Sequence, residues 1–327
     1  MTRFLALYGR MLRYRVAAML WLFLLLGAAA HGGLAGFSWD YVWVSLSLAS
    51  SYVAATSLND VADRDIDRVN HPLDSGRPLV TGDATERDLH ALHVAATVLS
   101  LAAGAAAGTA ALGLAALSLA ISLVYSLPPL RLSHRTYLVA PALAVAYVLI
   151  PFSLGLVAAG GSFRARDAVL CAALVSLFVA RINLKDFRDR EGDARYGKPT
   201  VLLRFGKDVT CLVSLVALVL ADLLLLAALR PPLVLAVVVE LFVAAVGSML
   251  YVLWRTTDAH GEQVAIGIGA RMGNGLLLAL LGWLVLAAHG ASAQDRVAFL
   301  VSLSALFGLS FYALVTRPDQ AVIGYKG

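Results

Sequence analysis

Three oxygen-bearing side chains, Asn59, Asp63 and Asp67, recur at intervals of four inside the stretch NDVADRDIDRVNHPLDSGR, residues 59–77. At about 100° per residue, a spacing of four drifts by only about 40°, so the three share one helical face. Such a face can hold a hard divalent cation. Far downstream, KDFRDREGDARYGK (185–198) repeats the chemistry with Asp186, Asp189 and Asp193 at spacings of three and four. Two sets of carboxylates facing each other would repel unless cations intervened. Mg²⁺ favours carboxylates shared with substrate phosphates and water over an all-protein cage. The expected ligand is therefore a diphosphate bridged to both sets by Mg²⁺. Arg68, Arg77, Arg131 and Lys185 can add positive charge around its oxygens. Tyr125 either lines the same cavity or anchors at the membrane interface, where tyrosine is common.

The elements that must position these side chains are membrane helices. Of the 327 residues, 60% are hydrophobic and 14% charged, with a mean hydropathy of +0.80. Soluble domains carry about 25% charged residues. So apolar a chain is expected to be an all-α, polytopic membrane bundle of nine to ten spans around a lipid-accessible cavity, forming one domain over 1–327. A span needs about 20 apolar residues. Ten candidates follow: 16–31, 41–58, 89–108, 110–126, 137–159, 168–182, 209–229, 233–254, 269–288 and 297–315. The last would be an extra span, and the segment 267–275 is glycine-rich and interrupted by Arg271. The first apolar run lacks a small-residue cleavage site and reads as a retained span.

With alternating loops, only Arg164, Arg166, Arg230 and Arg296 fall on one side. All other basic residues, Arg317 and Lys326 included, fall with the N-terminus and both acidic stretches. The positive-inside rule makes that side cytoplasmic, in what the arginine-rich usage marks as a bacterial plasma membrane protein. The net charge of +5 then serves an anionic lipid surface, and no nucleic-acid-binding module is readable. Cys171 and Cys211 sit in apolar runs and read as buried, inert thiols. The histidines show no metal-ligand spacing on one helix. Asp222 and Glu240 are intramembrane acids for which the sequence names no partner.

A diphosphate head-group site beside an apolar cavity suits a long hydrocarbon tail. Cations at the head group would stabilise departing pyrophosphate, and the allylic fragment would leave as a carbocation. The residues that carry this chemistry also carry a resemblance. NDVADRDID resembles the N-D-x-x-D-x-x-x-D motif of the UbiA superfamily of intramembrane prenyltransferases. KDFRDREGD resembles its second motif, YSLPPLRL (125–132) its Y-S-x-P-P-x-R/K segment, and RPLVTG (77–82) its R-P-L-x-S-G ending. The segment before Arg77 is longer than the family's common P-x-R-P, and Arg131 stands where many members have lysine.

The resemblance implies a helical bundle around a central cavity and Mg²⁺-dependent transfer of a prenyl group from its diphosphate to an aromatic or other lipophilic acceptor, as in isoprenoid biosynthesis. It implies that Asn59, Asp63 and Asp67 bind one Mg²⁺, that Asp189 and Asp193 bind another with Asp186 close by, and that Arg77 and Arg131 contact diphosphate. A terpene cyclase of the same superfamily would use the same aspartates without an acceptor. A transporter would place its acids near mid-membrane on broken helices, whereas these cluster at one face. Asp60, Asp65 and Glu191 point off the shared faces and are expected to be structural or solvent-facing.

Overall fold

Caps, as much as hydropathy, decide where the helices begin. In the computed structural model, which describes residues 2–318, Thr85 starts one long helix through a capping box. Asp88 N donates to Thr85 Oγ1 and Thr85 N donates back to Asp88 Oδ2, at 3.2 and 2.9 Å. Ser292 starts another through the same kind of box, and Ser38, Thr200 and Asp258 cap others through a side-chain acceptor alone. Lys326, part of the charge asymmetry, lies outside the described residues.

The helices in order are α1 (Thr2–Met11), α2 (Tyr14–Ala29), α3 (Trp39–Ala62), α4 (Arg64–Asn70), α5 (Pro78–Thr81), α6 (Glu86–Ala107) and α7 (Thr109–Ser126). Next, α8 (Val139–Ala144) runs through a π-helical turn into α9 (Ile150–Ala158), and α10 (Ala165–Ile182) tightens into a 3₁₀ segment, Asn183–Phe187. Then come α11 (Arg190–Arg195), α12 (Val201–Leu229), α13 (Leu233–Arg255), α14 (Ala259–Ala288) and α15 (Ala293–Thr316). There is no strand among the described residues. Eight of these elements are long and apolar enough to cross a membrane, and the α1–α2 pair, bent by 65°, makes a ninth. The remaining expected span is α3. Its 24 residues are long enough, but Ser47, Ser50, Ser51, Thr56 and Ser57 turn inward and lower its hydropathy.

Two expectations need correction. Hydropathy starts the twelfth and fourteenth helices at 209 and 269. α14 begins at Ala259, because Asp258 caps a polar first turn that an apolar window does not see; α12 starts at Val201 under the Thr200 cap but breaks at Gly206 (φ 82°, ψ 178°), so its long apolar part begins close to the expected 209. The segment 267–275 is also continuous helix. Its glycines make room for neighbours: a Cβ on Gly273 would meet the Arg181 guanidinium at 3.1 Å, and one on Gly275 would meet Phe242 at 2.4 Å.

The helices form a closed ring. α3 packs on α6 and α7; α2 packs on α9; α10 packs on α12, and α13 on α14; α14 closes back onto α2. Water drives little association between helices in lipid, so small residues and interhelical hydrogen bonds carry the contacts. Ser47 Oγ donates to Ser100 O and Ser100 Oγ to Ser47 O, both at 2.9 Å, joining α3 to α6. At the α2–α9 seam a Cβ on Gly155 would lie 1.8 Å from Leu24 O, and one on Gly27 2.0 Å from Phe152 O. Only glycine lets these backbones touch. Large side chains such as Leu223, Leu241, Leu309 and Tyr312 are exposed and form the lipid-facing exterior. α15 lies outside the ring against α14 and α13.

Gly155→Val should therefore force the α2–α9 seam apart. Overpacking of this kind costs about 1–3 kcal/mol. Thermal unfolding of the detergent-solubilised protein should show a lower midpoint than wild type, whereas Gly113→Val, where a Cβ meets nothing within 4 Å, should not.

Candidate active site

Each acidic stretch straddles a break in its helix. α3 ends at Ala62, and Asp63 sits in the bridge region (φ −108°, ψ 15°) before α4 begins. Asp189 occupies the same kind of break (φ −92°, ψ 6°) between the 3₁₀ segment and α11. The expected unbroken helical face from Asn59 to Asp67 is thus two pieces. Its register survives, because Asp63 N donates to Asn59 O at 2.8 Å and Asp67 N to Asp63 O at 2.9 Å. The two short helices pack against each other. Gly192 N donates to Asn70 Oδ1 at 2.7 Å, and a Cβ at Gly192 would lie 2.7 Å from that side chain.

A cavity of about 630 Å³ opens between the two stretches. Asn59, Asp63, Asp67, Arg77, Tyr125, Lys185, Asp189 and Asp193 all line it. Below them its walls turn apolar, with Leu20, Phe23, Tyr52, Tyr147, Phe178 and Leu250. Three expected site residues are placed otherwise. Arg68 is exposed and pairs with Asp65 at 3.5 Å, because α4 turns that face outward. Asp186 is buried, but it does not line the cavity, since the 3₁₀ turn rotates it behind Lys185. Arg131 is not in the wall either; it reaches Asp63 Oδ1 and Ala62 O, both at 3.0 Å. Asp60, expected off the face, is 2% exposed and clasped by Arg13 at 2.5 and 2.7 Å and by Arg77 at 3.2 Å. Asp65 and Glu191 are at the surface.

The carboxylates differ in what surrounds them. Burial would raise Asp63, but His134, Lys198 and Arg131 outweigh it and hold Asp63 well below the usual carboxylate range. Burial likewise opposes ionisation of Asp189, yet His71, 3.0 Å away, and Arg188, 3.2 Å away, hold it low. Burial pushes Asp67 up to about 7 despite its contact with Arg77, and the nearby charges of Asp60 and Asp63 add to the rise. Burial also raises Asp193. Lys198 stands 3.4 Å from Asp193 Oδ1 and 3.7 Å from Asp63 Oδ2, and so ties the two stretches together.

Sequence spacing missed Lys198, His71, Asn70 and Arg13. The first three adjoin the acidic motifs, and only the packing of α4 on α11 reveals their roles. Asp222 and Glu240 do not line the cavity. Cys171 and Cys211 are buried and unpaired.

Among the described residues no three His, Cys, Asp or Glu side chains converge into a ready-made metal cage. The donors nevertheless suit a hard cation that shares its shell with phosphate. They are all oxygen, they come from both walls, and the buried Asp193 Oδ1 has only the Lys198 ammonium beside it, at 3.4 Å.

A ring of membrane helices encloses a cavity that is acidic and basic at one end and mostly apolar beyond, a lining that suits an amphiphile with an anionic head. Residues 19–274 match the UbiA prenyltransferase family, and the chain belongs to it. The bacteriochlorophyll synthase 33 kDa chain of Cereibacter sphaeroides is 27% identical over 209 residues, spanning 62% of this chain and 67% of that one. The chloroplastic chlorophyll synthase of Oryza sativa subsp. japonica is 29% identical over 201 residues, spanning 56% of this chain and about half, 51%, of that relative. The structure of a UbiA homolog from Archaeoglobus fulgidus bound to DMAPP and Mg²⁺ shares the fold. Its TM-score is 0.56 at 20% identity, over 94% of this chain and 99% of that one.

Asn70→Ala should leave the buried Gly192 N–H without a partner, a loss of about 1–3 kcal/mol. Thermal unfolding should register that loss, and Asn70→Asp, which keeps an acceptor oxygen, should recover part of it.

Proposed function

We propose that this protein transfers a prenyl group from a prenyl diphosphate to an aromatic or other lipophilic acceptor. The observation that carries the reading is the joining of Asp63, Asp67, Asp189 and Asp193 at one end of a cavity whose deeper wall is hydrocarbon and aromatic. Arg77, Lys185 and Lys198 bind and orient the diphosphate oxygens, with Tyr125 beside them. Asn59, Asp63 and Asp67 would hold one Mg²⁺, and Asp189 and Asp193 another. When bound, Mg²⁺ would neutralise charge developing on the departing diphosphate.

The carbon–oxygen bond breaks with its electron pair leaving on pyrophosphate, and the prenyl fragment becomes an allylic cation. Tyr52, Tyr147 and Phe178 line the space where that cation would form. Tyr147 stands between the other two, with centroids 5.8 Å from Tyr52 and 6.0 Å from Phe178. An acceptor nucleophile then attacks the cation and releases its proton. The concentration of basic residues in the loops at the site end supports an orientation with that end at the cytoplasmic face.

Purified protein with Mg²⁺ and prenyl diphosphates of different lengths should release pyrophosphate, and chelation of the metal should stop it. Asp63→Ala and Asp189→Ala should each reduce release by about 100-fold or more. Arg68→Ala, which removes only an exposed pair, should stay within about twofold. No release under any condition, or full activity in both aspartate variants, would overturn the reading. Products formed without an acceptor would identify a cyclase instead.

A further inference from the structure

The second acidic stretch is gripped from outside the cavity as well as from within. Glu262, in the first turn of α14, is 5% exposed and does not line the cavity. Cations from two other helices take both of its carboxylate oxygens. Lys207 Nζ of α12 donates to Oε1 at 2.7 Å, and Arg190 Nη2 of α11 donates to Oε2 at 3.2 Å. Lys207 also donates to Thr256 O, at the end of α13. Both cations lie over the ring of the buried Phe187, with Arg190 Cζ 5.4 Å and Lys207 Nζ 5.9 Å from its centroid. Phe187 belongs to the 3₁₀ segment, against which α12 and α14 pack. Like Glu262, none of Arg190, Lys207 and Phe187 lines the cavity.

Removing one partner of a buried ion pair leaves the other charge unmatched, so a buried carboxylate holds its cations firmly in place. Arg190 is the first residue of α11. It follows Asp189 directly and precedes Asp193 by three residues, so its backbone position sets where both carboxylates stand. Three contacts, Asn70 with Gly192 N, His71 with Asp189, and Lys198 with Asp193 and Asp63, join the two acidic stretches to each other. The Glu262 contacts instead join the second stretch to α12 and α14 of the ring. Resting on the prenyl-transfer reading, we propose that Glu262 is a positioning residue for that reaction, fixing Arg190, and through it Asp189 and Asp193, where they meet a divalent cation. Glu262 itself touches neither the cation nor the substrate. Its loss would leave both carboxylates at the cavity but less well placed, and the cation would be held less tightly.

The test is Mn²⁺ binding to the purified full chain, read by electron paramagnetic resonance with a prenyl thiodiphosphate present. Glu262→Gln should weaken binding about tenfold or more, the loss common when a group that orients metal ligands is removed. Arg190→Ala makes the deciding comparison, because it removes a positive charge near the site. By charge alone it should tighten Mn²⁺ binding; by lost positioning it should weaken it, and weakening is the expected result. The double variant should match Glu262→Gln to within about twofold, because the two residues act through one contact. In pyrophosphate release, excess Mg²⁺ should bring either variant to within about threefold of wild type, a recovery that general damage to the fold would not allow. Mn²⁺ affinity within about twofold of wild type in Glu262→Gln overturns the proposal, even if thermal unfolding shifts. Binding in Arg190→Ala as tight as wild type, or tighter, overturns it as well, by leaving only charge acting at a distance. That second comparison alters a half-exposed side chain, so it does not depend on replacing a buried one. Pyrophosphate release by wild type, measured separately, decides the prenyl-transfer reading on its own.

Discussion

Everything at the site end follows from one electrostatic constraint. Carboxylates buried at the edge of an apolar bundle must have cations within reach. Asp60 has Arg13 and Arg77; Asp63 has Arg131 and Lys198; Asp189 has His71 and Arg188. These pairs reach across chain segments far apart in sequence, so charge balance is also what fastens the bend between α1 and α2, the loop after α7 and the segment after α11 around the cavity. Asp67, Asp186 and Asp193 are less well balanced, with burial raising all three. An added cation would find its strongest attraction beside them.

The ring provides the other half of the design. Serine pairs and glycine contacts hold the helices by close backbone approach, as lipid surroundings require. Helix breaks at Asp63 and Asp189 then let short segments fold over the end of the ring and face each other. The two stretches share a plan of long helix, aspartate at the break, and short helix. That is the structural form of the internal echo readable in the chain.

Composition, spacing and charge asymmetry were enough to read an all-helical membrane bundle with two acidic stretches at one end. Spacing was a good guide to which acidic-stretch residues face the cavity, Asn59, Asp63, Asp67, Asp189 and Asp193, because i→i+4 hydrogen bonds persist through the first break. It was a poor guide to Asp186, since a 3₁₀ turn rotates side chains differently from an α-helix. Arg68 illustrates another limit: a basic residue beside an acidic motif is equally at home on the outer face. His71 and Asn70 act through contacts between distant segments, and so does Lys198 in reaching Asp63; no local pattern encodes these contacts. Arg271 looked like an interruption in a span, because hydropathy does not distinguish a helix facing lipid from one facing a cavity.

The glycine seam between α2 and α9 limits how this molecule can vary. Where two backbones touch, there are no side chains to trim or enlarge, so the spacing of α2 and α9 is fixed. Changes in the shape of the cavity must come from walls built of side chains, such as Val246, Met249 and Leu250 on α13 and Ile266 and Leu277 on α14. Descendants of this chain that accept bulkier or slimmer guests would be expected to differ there, and to keep Gly27 and Gly155 unchanged.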